Sequence, residues 1–141
     1  RVALAAIKAG REPDGLILFD YHVVYLESAG DWQVYDTDSR LAIPVPLDHY
    51  LARTFPPLFD PTEFAARFSL VPTGAFLHEF ASDRSHMIAA DGTWLHDPPA
   101  WPPVHAERGS NLFAFVDGGH PAIVWSGPPR ELRRFLAGSP D

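Results

Sequence analysis

Proline and glycine occur throughout the chain and limit the length of every regular element. The 141 residues include 15 prolines and 10 glycines. Because proline lacks a backbone N–H and has a fixed φ angle, it ends most helices and central strands. The sequence therefore predicts many short elements joined by stiff loops. A chain of 141 residues with 46% hydrophobic content also suits a single globular domain, residues 1–141, around one core.

Two apolar and aromatic runs near the start of the chain predict a β-hairpin. The first run extends from Leu16 to Glu27 and the second from Trp32 to Thr37, and residues 28–31 between them are typical of a turn. A second hairpin is predicted around Asp91-Gly92, a residue pair that favours a type I′ turn. Both hairpins indicate antiparallel pairing.

The other predicted elements are short helices and strands. Asp60 can cap a helix that begins at Pro61 and continues through Phe64, Arg67 and Phe68. Further helices are predicted at Leu47 to Arg53 and Arg130 to Leu136, and strands at Phe76 to Phe80 and Ala122 to Trp125. Strands dominate this pattern, so the predicted fold class is α+β, an antiparallel sheet with peripheral helices.

Charge and composition exclude several classes of function. The net charge is −7, and the basic residues cluster only at Arg130, Arg133 and Arg134, which makes nucleic-acid binding a poor interpretation. No apolar run approaches the roughly 20 residues of a membrane helix, and no signal-peptide pattern is present. The absence of cysteine excludes disulfides and thiolate zinc sites in the chain and fits a reducing compartment. We therefore expect a soluble, cytoplasmic protein without membrane or nucleic-acid partners.

The first hairpin brings a histidine and an aspartate into register. Opposed residues of an antiparallel pair have numbers with a constant sum, and a turn centred on Ala29 gives a sum of 58. His22 then lies opposite Asp36 on the same face, and Asp20 lies opposite Asp38. A register shift of one residue would send His22 and Asp36 to opposite faces, so this pairing predicts a loop of odd length.

A carboxylate beside an imidazole fixes the tautomer of the ring and stabilises its charged form, as in Cys-His-Asp and Ser-His-Asp triads. The alternative is a structural His–Asp contact in a half-buried sheet, and spacing alone leaves both interpretations open. A metal site formed by His22, His86 and Asp36 has no supporting motif such as His-x-x-x-His. We therefore predict neither a metal nor a cofactor.

Four segments of the chain form a recognisable set of motifs: Asp20-Tyr21-His22-Val23-Val24, Tyr35-Asp36-Thr37-Asp38, Phe80-Ala81-Ser82-Asp83-Arg84-Ser85-His86-Met87, and Trp94 followed by Pro98-Pro99-Ala100-Trp101-Pro102. In order and spacing they resemble the protein N-terminal glutamine amidohydrolase family. The resemblance extends from about Gly15 to about Asp117 and implies a papain- or transglutaminase-like cysteine-hydrolase core. It also implies conversion of N-terminal glutamine of proteins or peptides to glutamate with release of ammonia, which in eukaryotes feeds the N-degron pathway. By this resemblance His22 matches the catalytic histidine and Asp36 the catalytic aspartate.

The chain departs from the family pattern because it has no cysteine. The family's cysteine lies on an N-terminal segment well before the histidine, so the resemblance implies a nucleophile upstream of Arg1 or on another polypeptide. Serine does not replace it, because Ser28 and Ser39 lie in or near turns of the hairpin. Ser82 and Ser85 belong to a motif that the family has in addition to its cysteine.

Specificity for a chain terminus requires recognition of an α-ammonium group, which a carboxylate binds by charge-assisted hydrogen bonds. Asp83 is the candidate for this role, with Ser85 and His86 as further substrate-binding residues. The alternative is that Asp83 and Arg84 pair with each other or cap a turn. The Asp20 and Asp38 pair is less suited, because two close carboxylates repel each other.

Three functions fit these residues. The first is an N-terminal glutamine amidohydrolase, expected as a monomer, whose cysteine segment is absent from this chain. The second is a pseudoenzyme that binds peptide termini without turnover. The third is a related papain-like deamidase or transglutaminase that acts on internal glutamine. The Pro98 to Pro103 stretch is interpreted as a rigid loop packed by its own Trp101, or alternatively as a polyproline ligand.

Overall fold

The structure is a computed structural model that describes residues 2–12, 15–55 and 65–138. The chain forms two compact units, Arg1–Phe68 with Gly127–Asp141, and Ser69–Ser126. In chain order the elements are β1 (Val2–Leu4), β2 (Ile17–Phe19), β3 (Tyr25–Ser28), β4 (Trp32–Tyr35), β5 (Val45–Pro46), α1 (Leu47–Thr54), β6 (Phe68–Leu70), α2 (Thr73–Glu79), α3 (Leu112–Val116), β7 (Trp125–Gly127) and α4 (Pro129–Gly138). Two 3-10 turns, Ser85–Met87 and Ala106–Arg108, complete the described elements.

The strands form three small sheets instead of the one sheet that the sequence predicts. β1 pairs with β2, β3-β4-β5 form a three-stranded sheet, and β6 pairs with β7. The ladders of the first two sheets are antiparallel. The result is a mixed α and β fold with short elements, as the distribution of proline and glycine indicates. In the described part of the chain, no helix combines the length and the apolar character needed to cross a membrane.

The first predicted hairpin is present as β3 and β4, with a corrected register. Tyr25 pairs with Tyr35 and Ser28 with Trp32, so paired residue numbers add to 60, not 58. The turn is centred on Gly30 because its φ of 81° is a conformation that glycine adopts without strain. The loop, residues 29–31, has an odd length as predicted. The first run is not one strand, because residues 20–24 separate β2 from β3.

The helices predicted at Leu47 to Arg53 and at Arg130 to Leu136 are confirmed. On α1 the buried residues Leu47, Tyr50 and Thr54 lie on one face, at helical spacing. On α4 Leu132 and Leu136 are buried. The buried hydrophobic residues of this unit are Leu4, Ala5, Ala6, Ile7, Val34, Val45, Leu47, Tyr50, Leu132 and Leu136. β4 thus runs through the core of the first unit and carries the chain to Asp36.

The second unit departs most from the predicted elements. The strand predicted at Phe76 to Phe80 is wrong, because α2 follows Pro72 and places these two rings one helical turn apart, stacked at 4.7 Å. Of the strand predicted at Ala122 to Trp125, only Trp125 lies in β7.

Two further predictions are only partly matched. The helix predicted from Asp60 through Phe64 lies outside the described residues, and its extension to Arg67 and Phe68 is wrong, because residues 65–67 have no helical structure and Phe68 begins β6. The second hairpin is reduced to an isolated bridge between Ile88 and Trp94, around a turn in which Gly92 has a φ of 84°.

Candidate functional site

His22 and Asp36 lie in contact in the first unit. His22 is in the segment between β2 and β3, and Asp36 directly follows β4. His22 Nε2 is 2.9 Å from Asp36 Oδ2, and the His22 side chain is 10% exposed. The β3–β4 register, extended beyond the ladder, would oppose His22 to Asp38 and not to Asp36 as the sequence predicts. His22 lies in the non-strand segment before β3, so the strand register does not set its contact with Asp36.

The carboxylate of Asp36 accepts hydrogen bonds from three donors. His22 Nε2 and the hydroxyl of Tyr50 both donate to Oδ2, at 2.9 and 2.8 Å. The backbone N–H of Asp38 donates to Oδ1 at 2.9 Å. Asp36 is only 2% exposed, so its charge is satisfied by these groups and not by bulk water.

These contacts decide the charge state of Asp36. Burial by itself raises the pKa of the carboxyl group, but the hydrogen bonds from His22 and Tyr50 outweigh it and hold the pKa below its ordinary value. Asp36 is therefore ionised near neutral pH and can only accept hydrogen bonds. His22 must then carry a proton on Nε2, which leaves Nδ1 as the nitrogen that can exchange a proton with a nucleophile.

The depressed pKa of Asp36 predicts a loss of stability in acid. A carboxyl group whose pKa is lower in the folded than in the unfolded chain stabilises the fold fully above the unfolded value, about 4. We expect this contribution to disappear as the pH falls through the lower, folded pKa. Denaturant unfolding between pH 7 and pH 3 measures it. The same series on Asp36→Asn should lack this part of the pH dependence, and identical slopes in both proteins would contradict the assignment.

Tyr50 is a site residue that the sequence did not reveal. It lies on α1, is 1% exposed, and its pKa is raised, first by burial and then by its hydrogen bond to Asp36. Its hydroxyl therefore stays protonated and remains a donor. The sequence predicts the helix, and a tyrosine on the buried face of a helix needs a polar partner for its hydroxyl group. The sequence therefore indicates that Tyr50 has a polar partner, but it does not show that this partner is Asp36.

His22, Asp36 and Asp38 could also hold a cation. One potential ligand atom from each lies within 4.8 Å of the others, and among the residues described by the structure this is the one such group. His86, which the sequence suggests as a third ligand, is not part of it. A cation here would have to displace the hydrogen bond between His22 and Asp36, because Oδ2 already accepts from both His22 and Tyr50. In the described structure both oxygens of Asp36 are already used in hydrogen bonds.

Asp83, Ser85 and His86 lie in the second unit. Asp83 Oδ1 accepts from the backbone N–H of Ser85 at 2.9 Å, and this hydrogen bond is the main reason that the pKa of Asp83 is lowered. Asp83 thus holds the N–H of the first residue of the 3-10 turn Ser85–Met87, whose N-cap residue is Arg84, and this contact agrees with the turn alternative for Asp83. The ring of His86 packs edge-on against Phe113, and its Nδ1 is buried without a hydrogen-bond partner among the described residues.

Arg84 holds the proline-rich loop. Its guanidinium donates to the backbone oxygens of Pro99 and Trp101. Trp101 is 66% exposed, so the loop is not packed by its own tryptophan as the sequence predicts. Hydrogen bonds from Arg84, and not packing of the Trp101 indole ring, therefore hold the loop in place.

The chain is similar to several known proteins. The family model for N-terminal glutamine amidase matches residues 1–126. Protein N-terminal glutamine amidohydrolase from Arabidopsis thaliana is 39% identical over 116 residues, which cover 77% of this chain and 52% of the relative. The protein of that name from Drosophila ananassae is 37% identical over 128 residues, covering 84% and 62%, and the one from Bos taurus is 35% identical over 132 residues, covering 89% and 63%.

The chain spans between about half and two thirds of the length of these curated relatives. The family match, however, covers residues 1–126, which include His22 and Asp36, called the dyad below, and residues 83–86. The chain therefore belongs to the N-terminal glutamine amidase family.

Proposed function

We propose that the chain is the histidine- and aspartate-bearing part of an enzyme that deamidates N-terminal glutamine of proteins or peptides to glutamate. The observation that carries this proposal is the buried Asp36 carboxylate that holds His22 through Nε2 and leaves Nδ1 available. Family membership supports the substrate class, since the curated relatives are named for N-terminal glutamine. The proposed core is papain- or transglutaminase-like.

The nucleophile in this proposal is a cysteine outside the 141 residues, on the same polypeptide or on another. Nδ1 of His22 takes the thiol proton, and the thiolate attacks the side-chain amide carbon of glutamine. The tetrahedral intermediate collapses when His22 returns its proton to the amide nitrogen, which leaves as ammonia. A water molecule, deprotonated by the same histidine, then hydrolyses the thioester to glutamate and regenerates the thiol. Asp36 keeps the ring in one tautomer through both steps.

Ammonia release from synthetic peptides tests this function in the protein that includes the cysteine segment. We expect turnover of peptides that begin with glutamine, and little or none of peptides that begin with asparagine or carry glutamine internally. Turnover of internal glutamine alone would contradict the proposal and favour a transglutaminase-type enzyme.

A pseudoenzyme is the second candidate, because the chain itself has no cysteine. The upstream coding sequence and the intact mass of the native protein show whether a cysteine segment exists. Binding of peptides that begin with glutamine, without ammonia release from the intact native protein, would establish the pseudoenzyme.

For substrate binding, the proposal assigns recognition of the α-ammonium group to Asp83, with Ser85 and His86 beside it. Asp83 is exposed, and hydrogen bonds from the backbone N–H and the side chain of Ser85 lower its pKa and keep it ionised. An ionised carboxylate has about four acceptor positions, so Asp83 can still accept a charge-assisted hydrogen bond from a substrate amine.

Asp83→Asn should therefore raise KM for glutamine peptides by about tenfold, because a charged hydrogen bond becomes a neutral one, and leave kcat nearly unchanged. Steady-state kinetics measure both constants. Asp91→Asn is the matched control, since Asp91 is an exposed aspartate that accepts from the backbone N–H of Thr93 in the same way. An unchanged KM in Asp83→Asn would limit Asp83 to its structural role in the turn.

A further inference from the structure

Tyr50 is buried and contacts the Asp36 carboxylate. Its hydroxyl is 2.8 Å from Asp36 Oδ2, the same oxygen that accepts from His22 Nε2. The ring lies on the buried face of α1 and packs edge-on against Phe55 at 6.1 Å. No step of the proposed reaction requires this hydroxyl group, yet it is one of only three donors found for the Asp36 carboxylate among the described residues.

We propose that Tyr50 is a positioning residue, which fixes the Asp36 carboxylate so that His22 presents Nδ1 to the nucleophile in one orientation. This inference rests on the proposed function, because it assigns the dyad to proton transfer. Tyr50 acts through Asp36 and touches neither the substrate nor the nucleophile in this scheme.

The first support is geometric. The terminal torsion of an aspartate side chain has broad preferences, so packing alone does not fix the carboxylate plane. The Asp38 N–H donates to Oδ1, but this one hydrogen bond does not prevent the carboxylate group from rotating. Tyr50 adds a donor at Oδ2 and so restrains the plane at both oxygens. His22 then meets an oxygen that is already held in place.

The second support is the way in which the fold holds Tyr50. β4 pairs with β5 through Val34 and Val45, and α1 begins directly after Pro46. Tyr50 is therefore one helical turn from a residue whose position relative to β4 is set by backbone hydrogen bonds. A donor on so short a connection keeps its distance from Asp36 better than one on a long loop.

The third support is electrostatic. A neutral hydroxyl that donates to a buried carboxylate stabilises the anion and adds no positive charge next to His22. Tyr50 stays protonated because burial and the neighbouring Asp36 raise its pKa. Removal of the hydroxyl should leave a buried anion with fewer donors, so the pKa of Asp36 should rise.

The test compares Tyr50→Phe with Tyr35→Phe. Tyr35 is a matched control because its hydroxyl also donates to a carboxylate, that of Glu27 at 2.7 Å, but the dyad is not involved. In the chain itself, a 13C NMR titration follows Asp36, and 15N shifts report the tautomer of His22. For Tyr50→Phe we expect Asp36 to titrate at higher pH and the population of the Nε2–H tautomer to fall. Tyr35→Phe should leave both unchanged.

The kinetic part of the test uses the protein that includes the cysteine segment. Tyr50→Phe should lower kcat by about tenfold with little change in KM, since ground-state binding of the substrate is not altered. An unchanged kcat overturns the proposal. So does a lower kcat without a change in the titration of Asp36 or in the tautomer of His22, because the role would then be structural only.

A fluorinated tyrosine at position 50 keeps the test decisive if Tyr50→Phe does not fold. The more acidic hydroxyl is a stronger donor with nearly the same shape, so Asp36 should titrate at lower pH. An unmoved titration overturns the proposal. If the wild-type protein does not deamidate glutamine peptides at all, the proposed function fails, and the NMR result alone decides whether Tyr50 sets the geometry of the dyad.

Discussion

His22→Ala should reduce N-terminal glutamine deamidation by about three orders of magnitude or more in the protein that includes the cysteine segment. We expect so large a loss of activity because the His22 imidazole takes part in every proton transfer of the proposed reaction. His22 takes the thiol proton, returns it to the leaving ammonia, and deprotonates the hydrolytic water. Alanine leaves Asp36 intact but removes the only group that the proposal provides for these transfers. Ammonia release under single-turnover conditions measures the loss.

His49→Ala is a suitable control for this experiment. His49 lies on α1, next to Tyr50, but its side chain is exposed and takes no part in the proposed reaction. Activity close to that of the wild type is expected there, with the same circular dichroism spectrum in both variants. A His22→Ala protein with wild-type rates would remove the dyad from the mechanism, whatever the family relationship.

The second large effect is expected for Asp36→Asn, which should lower kcat by roughly 10²- to 10⁴-fold. An asparagine side chain has one acceptor and one donor group, whereas the three hydrogen bonds at Asp36 all need acceptors. The NH₂ group of the substituted side chain would face a donor, and the favoured response is for His22 to move its proton to Nδ1. Nδ1 of His22 would then already carry a proton and could not accept one from the thiol.

The tautomer of His22 separates this explanation from general unfolding. 15N NMR of Asp36→Asn should show a larger population of the Nδ1–H form, in a protein that retains its fold. Asp38→Asn is the matched control, because Asp38 contributes its backbone N–H to Asp36 and keeps that group after substitution. Wild-type kcat in Asp36→Asn, or an unchanged tautomer together with a low kcat, would contradict the proposed role.

The first hairpin is predictable because its signals are local. The apolar runs, the turn residues and the odd loop follow from residues within a few positions of one another. The sequence pattern centres the turn on Ala29 instead of Gly30, because spacing does not show which residue adopts a positive φ, and glycine does so most easily. The contact between His22 and Asp36 survives this error, because His22 lies before β3 and the β3–β4 register does not set its position.

The parts that could not be predicted depend on packing between distant segments. The sequence predicts a strand where α2 lies because Phe76 and Phe80 suit both structures, whereas in the helix that follows Pro72 their two rings stack on each other. The contact of Tyr50 with Asp36 joins a helix to the end of a strand. No sequence pattern links them, because the contact depends on the β4 and β5 pairing between them.

The three-residue loop around Gly30 limits how the length of this hairpin can vary among related proteins. A single inserted or deleted residue would turn the paired residues of β3 or β4, and with them the segment that leads to His22 or Asp36, to the other face of the sheet, whereas a change of two residues would preserve their faces. Alternatively, a β-bulge could absorb the odd residue. Natural variation in the length of this loop should therefore occur in steps of two, or be accompanied by a bulge between the loop and the dyad.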